Sequence, residues 1–280
     1  MSELSLEPTG ATFGAIATGV SLAELSDTMW KEIEAAFHEY ALLVFPGQHL
    51  TSKQQVEFGR RFGEIEHLFG DAGIIPISNQ RPDGSLLDDG EPGMEIMRGN
   101  EGWHTDSSYM PVSARASVFS AHVVPKSGGQ TEWADMRAAY EALEPAMRER
   151  IGELSAYHSL RFSQAQLGDT SEFGYGYHDG PIPLRPLVKI HSVTGRPSLF
   201  IGRHAYGIPG LSENESEELL DELMAFACQP PRTYRHEWQS GDIVVWDNRC
   251  LLHRARAYDH SEPRIMKHTR IAGDPATESC

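Results

Sequence analysis

Strand signals crowd the last third of this chain, and they set the class of fold open to it. LVKIHSV (187–193), SLFIG (198–202), TYRHEW (233–238), DIVVWDN (242–248), CLLHRA (250–255) and RIMKHTRIAG (264–273) follow one another at short intervals, with one helical segment (213–226) among them. Many short strands late in a chain, with helices before and between, predict a mainly β architecture decorated by α-helices, a sandwich or jelly roll. The regular strand–helix alternation of a parallel sheet is absent.

The earlier half supplies scaffold. Ser26 or Asp27 can cap a helix in which Trp30, Ile33 and Phe37 recur at helical spacing. ALLVF (41–45) reads as a buried strand stopped by Pro46-Gly47, and Thr51 can cap a second helix that Gly63 ends. Residues 68–100 and 163–183 lack periodicity and read as long loops, and 134–151 as a helical stretch interrupted near Pro145. No repeat or Gly/Ser/Pro linker divides the chain, so one domain over 1–280 is expected; 40% hydrophobic and 23% charged residues suit one large core.

The formal charge of −16 argues against a nucleic-acid or anionic-membrane partner, although arginines in a pocket can still receive a small anion. No apolar run approaches the roughly 20 residues of a membrane span, and MSELSLEPTG lacks the pattern of a signal peptide. Cys228, Cys250 and Cys280 make no disulfide framework. A cytoplasmic protein is expected.

Chemistry concentrates at WHTDSSY (103–109). His104 and Asp106, two residues apart on an extended chain, point to one side. By itself His-x-carboxylate is weak: the chain holds 13 histidines and 40 acidic residues, and His260-x-Glu262 repeats the pattern in a polar segment. A third donor, His253, lies in an apolar strand after a WDN turn, and Arg264 follows at the head of the next strand. If a turn joins these as antiparallel neighbours, Arg264 faces the His253 cavity, where its fork can grip a carboxylate. Two histidines and a carboxylate on one face, with open positions beyond, are what a non-haem iron(II) oxygenase needs.

HTD at 104–106, GGQT at 128–131, WDN at 246–248 and His253 followed by Arg264 resemble, in this order, the taurine/2,4-dichlorophenoxyacetate dioxygenase family. The similarity runs from about residue 45 to 274. GGQTEWADMRAAYEAL, SLFIGRHA and YRHEWQSGDIVVWDNRCLLHRARAYD carry it toward the dichlorophenoxyacetate branch. The resemblance implies a double-stranded β-helix (jelly-roll) core, with Fe(II) on His104, Asp106 and His253. It places the distal carboxylate of 2-oxoglutarate on Thr131 and Arg264, with Trp246 and Asp247 as supporting or packing residues. It further implies O2-dependent hydroxylation of a small, aromatic or aryloxy organic acid with release of succinate and CO2. Where the hydroxylated carbon bears an ether oxygen, the product collapses and the ether is cleaved. Asp106, which related halogenases lack, favours hydroxylation over halogenation. A homo-oligomer is expected by analogy.

One position departs from the pattern. Four residues after the cosubstrate arginine the family places an arginine that anchors the substrate's acid group; here His268 stands there. On a strand Arg264, Met266, His268 and Arg270 share a face. His268 can bind the anion, Arg270 can replace the anchor roughly 7 Å further along, or the substrate carries no anion at this end. Asn100, His204 and His67 stand at positions resembling the family's substrate side. An alkyl sulfonate or sulfate-ester dioxygenase is the alternative enzyme, and a jelly-roll metal or ligand sensor the alternative without catalysis.

Overall fold

A computed structural model describes residues 3–67, 73–88, 90–168, 178 and 180–279. Its first strands are β1 (Ser5–Pro8), β2 (Ala15–Thr18), β3 (Leu42–Phe45), β4 (Ile75–Ser78), β5 (Ala116–Val123), β6 (Thr131–Asp135) and β7 (Ser155–His158). The later ones are β8 (Leu184–Pro186), β9 (Val188–Ile190), β10 (Pro197–Leu199), β11 (Ala205–Tyr206), β12 (Thr233–His236), β13 (Ile243–Asp247), β14 (Leu251–Ala255) and β15 (Ile265–Ile271). The helices are α1 (Asp27–Tyr40), α2 (Ser52–Arg60), α3 (Pro92–Gly99), α4 (Met136–Ala142), α5 (Pro145–Ile151), α6 (Leu160–Ala165), α7 (Glu213–Ala227) and α8 (Pro275–Glu278).

Seven strands form one sheet in the order β1-β2-β3-β13-β5-β15-β4, antiparallel except at the β2–β3 pair. A second, three-stranded sheet runs β12-β6-β14. Strand periodicity sorts the apolar residues into layers. Leu43 and Phe45 of β3, with Ile243 and Val245 of β13, pack under Ile33 and Phe37 of α1 and Val56 and Phe58 of α2. The alternate residues Leu42, Val44, Val244 and Trp246 face the other way and meet Trp133 of β6 and Leu251 of β14. Beyond the small sheet, Ala134 and Leu252 pack against α7 through Leu219 and Leu223. These two sheets pack face to face with helices on both outer faces, and two smaller sheets, β10-β9 and β11-β7-β8, hold the other described strands.

Several local expectations hold. The Ser26 side chain accepts from Met29 N to cap α1, and Thr51 caps α2 through a capping box. The helical stretch is broken where expected, with Pro145 at the first turn of α5. Others do not. α2 stops at Arg60, three residues short of Gly63. The supposed loop at 68–100 contains β4 and α3. β4 is only IPIS and exists because its register against Ile265 to His268 of β15 extends the large sheet, a long-range pairing that no local period announces. α6 begins before the second loop; residues 169–177 and 179 of it lie outside the described residues. Nor are β14 and β15 hairpin neighbours. β14 pairs with β6 and β15 with β5 and β4, so the chain crosses from one sheet to the other between His253 and Arg264. Among the described residues no helix is long and apolar enough to cross a membrane.

Candidate metal centre

The small sheet sets the two histidines opposite each other. His104 and His253 form an isolated antiparallel bridge, with His104 N donating to His253 O (3.0 Å) and His253 N to His104 O (2.8 Å). Opposed residues in such a pair project from the same face, and the two imidazole centroids lie 4.2 Å apart. Asp106, two residues on, reaches the same point before the chain turns at Ser107, whose φ is +54°. One donor atom from each of His104, Asp106 and His253 lies within 4.8 Å of the others.

The protonation states suit a cation. Burial pushes the His104 imidazole down to about 4 and His253 well below its ordinary range, so both are neutral at pH 7. Burial raises the Asp106 carboxyl, but the adjacent Arg270 guanidinium outweighs it and holds the group ionised, well below the usual carboxylate range. His104 Nδ1 lies 2.8 Å from Gly102 O, which can only accept, so the ring proton sits on Nδ1 and Nε2 presents a lone pair. His253 Nδ1 is buried without a hydrogen-bond partner among the described residues. Two neutral imidazoles and one carboxylate match the donor set of iron(II).

A second cluster, His191, Asp247 and Cys250, has similar spacing but no donor to offer. Arg249 forks onto both Asp247 oxygens (2.8 and 2.6 Å), and His191 Nδ1 accepts from Val193 N and Thr194 N, leaving Nε2–H to donate to Asp247. Burial drives the Cys250 thiol well up.

Asp106 is gripped from both sides. Ser117 Oγ donates to its Oδ2 (2.7 Å) and accepts from Asn248 Nδ2 (3.0 Å), while Asn248 Oδ1 takes the Trp246 indole N–H (2.9 Å). Thr105 Oγ1 donates to Asn248 O (2.8 Å), so the WDN turn clamps the HTD segment. Arg270 Nη2 stands 3.0 Å from Asp106 Oδ1 and His268 Nε2 3.5 Å from Oδ2. Asn248 and Ser117 are not among the residues the sequence points to; the third letter of WDN is the signal available for Asn248, beside Trp246 and Asp247.

A cavity joins this centre to Arg264. Asn100, His104, Asp106, Thr131, His253, Arg264, His268 and Arg270 line it, with Ile77, Phe119 and Trp246 as apolar wall. The shared face expected for Arg264, His268 and Arg270 is therefore present, although Met266 turns into the core. Arg264 is 4% exposed and has no carboxylate partner among the described residues; its Nε and Nη2 both donate to Gly129 O (3.2 and 3.0 Å). Burial lowers the guanidinium to about 10, so it stays charged at neutral pH. Gly129 adopts φ +68°, and a Cβ there would stand 3.1 Å from Arg264 Nε, which is why GGQT carries glycine beside the cation. Thr131 Oγ1 accepts from Trp238 Nε1 (3.0 Å), keeping its own proton for another acceptor. A buried cation lacking an anion, beside a free hydroxyl proton, fits the far carboxylate of 2-oxoglutarate.

The remaining candidates divide. Asn100 lines the cavity, and its carbonyl fixes the end of β14 by accepting from Ala255 N (2.7 Å). His204 is buried behind His104, ring centroids 5.9 Å apart, with Nδ1 2.7 Å from Ser163 Oγ; it does not line the cavity. His67 is exposed and also stays off the cavity lining.

Residues 5–270 match the family described as taurine catabolism dioxygenase TauD, TfdA family. The chain is 57% identical to the (S)-phenoxypropionate/alpha-ketoglutarate-dioxygenase of Sphingobium herbicidovorans, covering 98% of this chain and 96% of that protein. It is 39% identical to the alpha-ketoglutarate-dependent 2,4-dichlorophenoxyacetate dioxygenase of Cupriavidus pinatubonensis, covering 95% and 97% respectively. A solved structure of AAD-2 in complex with Mn(II) and N-oxalylglycine superposes with a TM-score of 0.89 at 37% identity, covering 96% of this chain and 97% of that one. The family resemblance carried by HTD, GGQT, WDN, His253 and Arg264 thus extends over the whole fold, and the chain belongs to the TauD/TfdA dioxygenase family.

Proposed function

We propose that the protein is an Fe(II)- and 2-oxoglutarate-dependent dioxygenase that cleaves the ether bond of aryloxyalkanoates. His104, Asp106 and His253 hold the iron; Arg264 and Thr131 hold the distal carboxylate of 2-oxoglutarate. The observation that carries this reading is Arg264, a buried guanidinium without a carboxylate partner among the described residues, in one cavity with the His–Asp–His cluster. The paired sheets are read as a jelly-roll core within one domain over 1–280, supported by relatives that match over nearly their full length.

Bound iron supplies activation of O2, coupled to decarboxylation of 2-oxoglutarate to succinate and CO2. The chain's own residues do the rest. Gly102 O fixes the His104 tautomer, and Ser117 and Arg270 hold Asp106. Ile77, Phe119 and Trp246 keep water from the cavity wall, which strengthens the Arg264 fork. Insertion of one oxygen atom into the C–H bond beside the ether oxygen gives a hemiketal or hemiacetal, which collapses to a phenol and a 2-oxo acid.

The substrate class rests on the relatives and is tested by offering (S)-2-phenoxypropionate, phenoxyacetate and a simple alkyl sulfonate with Fe(II), 2-oxoglutarate and O2. Phenol and succinate should appear in equal amounts with one or both aryloxy acids. Succinate formation stimulated by the sulfonate alone would reject the aryloxyalkanoate reading.

A further inference from the structure

Arg270 sits where a substrate anchor would be sought, yet its partners belong to the metal centre. Its Nη2 is 3.0 Å from Asp106 Oδ1 and its Nη1 3.3 Å from Ser107 Oγ. Ser107 Oγ in turn donates to Glu66 Oε2 (2.8 Å). Sheet pairing builds this chain in: Glu66 N donates to Arg270 O (2.9 Å), and Ile65 bridges to Ile271, so the carboxylate of Glu66 is delivered beside the guanidinium. The Tyr109 ring contributes too, since Arg270 hydrogen-bonds its side chain.

We propose that Arg270 is a positioning residue for the metal ligand Asp106, braced by Ser107 and charge-balanced by Glu66, and is not the substrate's anion anchor. This rests on the metal assignment made above. Ser117 and Arg270 together occupy one lone-pair direction on each Asp106 oxygen. A carboxylate tied at both oxygens meets a metal through one of them and leaves the neighbouring coordination positions open. A cation beside a metal would by itself repel it. Glu66 offsets that charge, so the series Glu66, Arg270, Asp106 alternates in sign and ends with a carboxylate facing the cavity.

The test uses full-length protein and Mn(II) alone, followed by the free-ion signal in electron paramagnetic resonance. Because Arg270→Met leaves the half-buried Glu66 without that cation and can destabilise the chain, the double variant Arg270→Met/Glu66→Gln is measured beside Arg270→Lys and the parent. The double variant should bind Mn(II) about 10–100-fold more weakly, the usual scale for losing a group that orients a ligand. Arg270→Lys should recover part of that loss, with the thermal midpoint of the metal-free protein close to the parent's. The KM for the aryloxy acid should stay within about twofold, a readout that a substrate anchor would move. Mn(II) binding equal to or tighter than the parent's, or a raised KM for the acid with metal affinity intact, overturns the proposal. Failure of the parent itself to bind Mn(II) removes the metal assignment and this inference with it.

Discussion

Changing Asp106 to Ala is expected to abolish metal retention and coupled turnover. The carboxylate is the only anionic donor in the His104–Asp106–His253 cluster, and the two histidines are neutral at pH 7. Without it a divalent cation meets two imidazoles and the Arg270 guanidinium, so affinity should fall by well over the roughly 100-fold seen when only a supporting group is lost. The same change breaks the ion pair of Arg270, which is 8% exposed and 3.0 Å from Asp106, and leaves it the more distant Glu66 as counter-charge. Removing one partner of a buried pair costs about 3–5 kcal/mol. The metal-free variant should therefore also melt lower, and Mn(II) binding has to be read below that lowered midpoint. Parent-like Mn(II) affinity and turnover in Asp106→Ala would show that the carboxylate ligand lies elsewhere.

Arg264→Ala should behave in the opposite way. It should leave the His104–Asp106–His253 cluster intact and remove the proposed grip on the cosubstrate. Truncating one side of a buried charged pair costs roughly 2–5 kcal/mol of binding, so the 2-oxoglutarate requirement should rise by about two orders of magnitude. Arg264→Lys keeps the charge but not the fork, and belongs between the two. Among the described residues Arg264 has no carboxylate partner, so its loss strands no counter-charge there and should cost the metal-free protein little stability. This contrast with Asp106 is specific to an arginine waiting for a ligand. An unchanged 2-oxoglutarate requirement, measured by succinate formation, would remove Arg264 from the cosubstrate site.

Features written in local sequence were legible without coordinates. Ser26 and Thr51 announced helix starts, Pro145 a break, and the late strand segments a sheet-rich fold. The donor residues were legible as a joint pattern of HTD, His253 and Arg264. Their assembly was not. His104 and His253 are 149 residues apart in the chain and meet through a two-bond bridge that neither segment signals. Arg264 reaches the same cavity from the opposite sheet, not from a hairpin partner as its spacing suggested. Glu66 carries no signal in the local sequence, and only its pairing against the end of β15 sets it beside Arg270. Alternation correctly put His268 and Arg270 on the cavity face, but alternation cannot say which neighbour a side chain will hold. The exposure of His67 and the burial of His204 behind His104 were likewise decided by tertiary packing.

His104, Asp106 and His253 are proposed to bind iron in one cavity with an Arg264 that binds 2-oxoglutarate. The most direct measurement is anaerobic titration of the protein with Fe(II) and 2-oxoglutarate, recorded in the visible range, followed by admission of O2 and assay of succinate. A weak charge-transfer band is expected that needs both components, is lost in Asp106→Ala, and is followed by succinate when O2 enters. Well-folded, iron-loaded protein that gives neither the band nor succinate would reject the assignment.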